Sequence, residues 1–130
     1  MAEESSRAER KGPLKGMIAS VYRLRGNNSF KEVLDKGKMV QSDSFGIAFV
    51  KREDEEVPRF GFIVSTKVSK EAVQRNRIKR ALSEAVRFMT SDIKSGYDVV
   101  FLAKQRAARS STDVLMNEVR EAIKAAGLFK

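Results

Sequence analysis

The sequence predicts a single α+β domain, and three patterns carry that expectation. The segments "DSFGIAFVK" and "RFGFIVS" alternate with a period of two, the repeat of a strand. From about Lys70 to Met89, apolar residues recur at helical spacing. Val99 to Ala103 form a near-continuous apolar run, the signature of a central strand buried on both faces. At 130 residues, one domain is the natural size, and a chain of this length can bury a workable core.

Residues 1–17 are charged, small and punctuated by Gly and Pro, and are read as a flexible basic N-terminal tail ahead of a domain over residues 18–130. Asn27 or Asn28 can cap a first helix over residues 28–36. Phe30, Val33 and Leu34 repeat in it at three- and four-residue spacing, and Gly37 stops it. In the first strand Phe45, Ile47 and Phe49 point one way and Gly46, Ala48 and Val50 the other; in the second, Phe60, Phe62 and Val64 share a face. "REDEEVP", closed by Pro58, suits a hairpin loop between them, with Glu53, Asp54, Glu55 and Glu56 at its tip. Ile78, Leu82, Ala85, Val86 and Met89 form the inward stripe of the longest helix. Gly96 turns the chain into the apolar strand. Ser and Thr residues then cap a last helix, with Val114 or Leu115, Val119, Ala122 and Ile123 facing inward and Gly127 ending it. Patterning alone thus yields the order αββαβα, without internal repeats.

Composition narrows the function. The formal net charge is +9 and the pI about 10.0, a surplus that points to nucleic acid or an anionic membrane surface. No apolar run approaches the 18 or so residues that span a bilayer, and the first residues lack the apolar core of a signal peptide. The chain is therefore read as unexported and cytoplasmic, with no membrane partner. It has no Cys and no His, which excludes disulfides and thiolate zinc sites and removes the commonest general base. There is no P-loop, no paired-carboxylate motif and no nucleophile–base pattern. No residue is assigned a catalytic or metal-binding role, and no protein partner is evident.

The charge concentrates in one place. Residues 65–87 hold seven cations against two acids. On a helix, Arg75 and Lys79 are neighbours, as are Asn76 and Arg80, and Arg77 lies three residues from Arg80. Like charges so spaced cost an isolated helix a few tenths of a kcal/mol each. A solvated charged face is one reading. The other is a phosphate-binding face, on which guanidinium forks match phosphate oxygens and Asn76 adds a donor and an acceptor. The net charge of the chain favours binding. Phe30, Phe45, Phe49, Phe60 and Phe62 form a second group, either core or a platform on which single-stranded RNA stacks its bases.

"PRFGFIVSTKVSKEAVQRNRIKRALSEAVR", Pro58 to Arg87, closely resembles the central motif of the bacterial ribonuclease P protein subunit. "YRLRGNNSFKEVLDKGKMV" resembles that family's N-terminal segment and "GYDVVFLAKQRAA" its late strand, so the likeness covers about residues 22–125. The resemblance implies a fold like the second domain of ribosomal protein S5, ordered αβββαβα with a left-handed βαβ crossover. "GKMVQS" would supply the additional strand. It implies a protein subunit of a ribonuclease whose catalyst is an RNA, cleaving precursor tRNA to leave the mature 5′ end. The protein would bind the catalytic RNA and the 5′ leader, with Mg²⁺ held mainly by the RNA subunit and substrate. Carried over by position, Arg75, Asn76, Arg77, Lys79 and Arg80 match the RNA-binding block, with Lys67 and Lys70 in the turn before it, and Phe30 matches a leader-cleft aromatic. Leu34 stands where many members carry a second cleft Phe, Ala48 near a position often aromatic, Thr66 for a lysine and Ser83 for an arginine. Phe45 or Phe49 are the expected substitutes in the cleft. The alternative is a ribosomal-protein-like RNA-binding module without a role in tRNA processing.

Overall fold

The computed structural model describes residues 18–130, so the tail expected over residues 1–17 lies outside the described residues. A short 3-10 turn (Ser20–Tyr22) leads to α1 (Asn27–Lys36), β1 (Lys38–Gln41), β2 (Phe45–Lys51), β3 (Arg59–Ile63), α2 (Ala72–Arg87), β4 (Tyr97–Ala103) and α3 (Thr112–Ala125). Further 3-10 turns lie at Thr90–Asp92 and Gln105–Arg109. The order is αβββαβα, as the resemblance implied. The strand that patterning left out, β1, has Lys38, Met39 and Gln41 exposed. Only Val40 packs against the main core, partly buried, so the strand shows too little alternation to read.

The sheet runs β1-β2-β4-β3, which corrects the hairpin expected from "REDEEVP". β2 and β3 are not partners, because β4 lies between them, antiparallel to β2 and parallel to β3. Val99, Val100 and Phe101 of β4 are all fully buried. Apolar side chains on both faces of a strand are hidden only when strands flank it and layers cover both sides. Residues 52–58 therefore step across the end of β4. Arg52 holds that crossing: its guanidinium donates to the carbonyls of Tyr97, Glu56 and Val57 and to the carboxylates of Asp98 and Asp54, at 2.7–3.1 Å.

Both faces of the sheet are covered. Phe45, Ile47, Phe49, Phe60, Val99 and Phe101 meet Ile78, Leu82 and Val86 of α2 and Leu115, Val119 and Ile123 of α3 in the main core. Ala48 and Val100 face the other way, toward Leu24 and Val33, with Phe30 and Leu102 packed alongside. Of the two candidates opening α3, Leu115 is buried and Val114 exposed. The Ser111 hydroxyl caps this helix by accepting the Val114 N–H at 3.2 Å. At α1 the cap is Gly26 rather than Asn27 or Asn28; its φ of 88° is a conformation that side chains disfavour.

Candidate nucleic-acid interface

The basic segment begins in the turn ahead of α2. Val68 buries its side chain and donates its N–H to the Ser65 carbonyl at 3.0 Å, while Lys67 and Lys70 stay exposed on either side. Within α2, successive residues rotate by about 100°, so the block sorts into separate directions. Ile78 enters the core. Asn76, Lys79 and Arg80 are exposed and, with Ser83, line an open cleft of about 390 Å³. Phe30 of α1, Ile18, Arg23 and Leu24 ahead of that helix, and Phe60, Gly61 and Phe62 of β3 complete it.

Phe30 sits there because position 61 has no side chain. A Cβ on Gly61 would come within 2.4–2.5 Å of the Phe30 ring, far inside carbon–carbon contact. The ring thus lies against the β3 backbone, half-buried. Gly61 was missed by the sequence reading, although a glycine inside a strand pattern does signal close approach of another group. Arg23, an exposed cation lining the same cleft, was missed as well; nothing but its charge marks it.

The two arginines flanking Asn76 behave differently from it. Arg75 donates to the Ser69 carbonyl at 3.0 Å, bracing the turn before the helix. Arg77 donates to Gln74 at 2.9 Å and to the carbonyls of Ser110, Ala107 and Ala108 at 3.2–3.4 Å. Most of its guanidinium therefore serves the 3-10 turn at 105–109 rather than solvent.

Phe45 and Phe49, expected as substitute cleft aromatics, belong to the core. Phe45 is 0% and Phe49 9% exposed. Their rings pack on Phe101 and Tyr97, with centroids 5.6 and 6.4 Å apart. The odd-numbered face of β2 looks into the layer of α2 and α3, so no base can reach it. Of the three aromatics, only Phe30 borders the cleft. Leu34 is exposed on α1.

The acidic run Glu53–Glu56 is exposed. Hydrogen bonds from Arg52, then the Glu56 N–H, hold the Asp54 carboxyl down at about 2. Among the described residues, no three His, Cys, Asp or Glu side chains gather as a metal site. Nor is any helix among them long and apolar enough to cross a membrane.

An α+β domain that sets a cationic helix beside a cleft holding an aromatic ring defines a class, the small nucleic-acid-binding proteins. The comparisons go further. Residues 18–127 match the family model described as Ribonuclease P. The ribonuclease P protein component of Clostridium kluyveri is 39% identical over 113 residues, spanning 85% of this chain and 98% of the relative. That of Caldanaerobacter subterraneus is 33% identical over 114 residues, spanning 88% and 97%. The structure of the Staphylococcus aureus RNase P protein superposes with a TM-score of 0.78 at 30% identity, covering 84% of this chain and 98% of that one. For the Thermotoga maritima RNase P protein the TM-score is 0.70 at 25% identity, covering 79% and 96%. This chain belongs to the ribonuclease P protein family. It is a protein component of a ribonuclease of tRNA processing, and the ribosomal-protein-like module is set aside.

Proposed function

We propose that this chain is the non-catalytic subunit of a ribonuclease whose RNA cleaves the phosphodiester bond, and that it holds the 5′ leader of precursor tRNA. One observation carries the reading. The half-buried ring of Phe30, seated on Gly61, shares a cleft with Asn76, Lys79, Arg80 and Arg23. A single strand needs that combination: a π-face for an unstacked base, and cations along the track of its backbone. Lys67 and Lys70 extend the positive field toward the start of α2. Mg²⁺ in this reading is bound mainly by RNA phosphates and substrate, and no step passes through the chain's own carboxylates.

The test is cleavage of a precursor tRNA by the protein alone, by a bacterial ribonuclease P RNA alone, and by both together at low Mg²⁺. The expected result is no cleavage by the protein alone and stimulation of the RNA by added protein. Absence of stimulation, or cleavage by the protein alone, overturns the proposal.

A further inference from the structure

We propose that the 3-10 turn Gln105–Arg109, with Lys67 beside it, is a second RNA contact that takes the ribose–phosphate backbone of paired RNA in the catalytic RNA subunit. The inference rests on the function proposed above and adds a surface outside the leader cleft.

The turn is lashed to the basic segment at two points. The Gln105 side-chain amide donates to the Lys67 carbonyl at 3.3 Å. Arg77 supplies the other tie, through its bonds to the carbonyls of Ala107, Ala108 and Ser110. Arg77 is thus a positioning residue, spending a guanidinium on a segment that itself displays two more. Arg106 and Arg109 are exposed, as is Lys67. Glu118 is the acid whose charge Arg106 feels, but its oxygens are occupied by Ser42 and Ser44 at 2.7–3.0 Å. The α2 helix stands as a ridge between two depressions, with Asn76 and Arg80 bordering both. Phe30 lies in one; Arg77 lines the other, together with Thr112 at the start of α3. The acid in that second groove, Glu84, bridges to Arg87 at 2.6 Å.

Holding cations together in this way costs repulsion that an anion relieves, and guanidinium groups match phosphate oxygens in geometry as well as charge. The partner follows from what this surface lacks. Lys67, Gln105, Arg106, Arg109 and Arg77 bring no aromatic ring, so there is nothing for an unstacked base to lie on. Paired RNA turns its phosphates outward and keeps its bases stacked, and that is the form a cationic surface without rings fits.

The experiment measures binding of the full chain to a bacterial ribonuclease P RNA over a range of salt, for the wild type, Arg106→Gln/Arg109→Gln and Lys79→Gln/Arg80→Gln. Thermal melting is recorded for each. The expected result for the first variant is weaker binding and a salt slope shallower by about two, near one per lost phosphate contact, with unchanged melting. In the assembled enzyme this variant keeps the wild-type preference for leader-bearing over leaderless precursor. If the double variant melts early, Arg109→Gln alone carries the test, with a slope loss of about one. Unchanged affinity and slope in the Arg106/Arg109 variant, while the wild type binds the RNA, overturn this inference alone. A loss confined to leader preference assigns the turn to substrate and also overturns it. Failure of the wild type to bind the RNA overturns it together with the function it rests on.

Discussion

Arg75, Asn76 and Arg77 are consecutive in the chain and have three different uses. Asn76 lines the cleft, Arg75 braces the turn before α2, and Arg77 ties α2 to the turn before α3. Arg77→Ala leaves those carbonyls without their charged donor and is expected to lower unfolding stability by about 2 kcal/mol, read from urea denaturation. Arg77→Lys recovers little, because an ammonium cannot reproduce the fork. A stability equal to wild type would return Arg77 to the pool of phosphate ligands. Phe30→Ala removes the one ring of the cleft that α1 supplies. It should weaken binding of leader-bearing precursor by about 1–3 kcal/mol, the usual worth of stacking one base, and spare the leaderless form. Equal losses on both substrates would remove Phe30 from leader binding. Gly61→Ala tests the same site from beneath: the added methyl has to displace the Phe30 ring, so the same selective loss is expected with the aromatic still present.

At the level of elements, two polar clamps set how the strands meet the helices. Arg52 fastens the crossing over β4, and Glu118 fastens α3 to the turn between β1 and β2. Burial pushes the Glu118 carboxyl up, but bonds from the Ser42 and Ser44 hydroxyls and the Ser44 N–H outweigh it, and the net direction is down. A carboxyl lowered by folding stabilises the native state fully above its unfolded value of about 4.3. That contribution disappears as the pH falls through the lower, folded value. Glu118→Gln should therefore melt below wild type at pH 7, and the difference should shrink as the pH drops below 4. Parallel melting curves for the two proteins across that range would mean the carboxylate charge contributes nothing to the clamp.

For the whole molecule, the position of β4 decides the architecture. Phe101 lies against Phe45 and Phe62, with ring centroids 5.6 and 5.3 Å apart, in the strand that β2 and β3 share. Phe101→Ala should cost about 3–5 kcal/mol. That is a large part of the stability of an ordinary domain, so a lowered denaturation midpoint and a reduced folded fraction at 37 °C are expected. A midpoint within experimental error of wild type would show that the sheet closes over the cavity.

Periodicity and charge are local properties, and they carried far. The inward stripe of α2, the double-sided burial of β4, a Ser or Thr cap on α3 and the concentration of cations over residues 67–80 were all legible from residue type and spacing. Spacing cannot report which strands become neighbours, since every strand face repeats with the same period of two. So the β2–β3 hairpin was expected where β4 intervenes, β1 went unread because only Val40 on it turns toward the core, and Phe45 and Phe49 were offered to RNA from inside the core. The sequence by itself determined that this protein folds as α+β and carries one cationic helix suited to a polyanion. Tertiary structure alone decided which cations remain available to it, because a guanidinium is claimed by whichever carbonyls the fold brings within about 3 Å, as those of residues 107–110 are brought to Arg77.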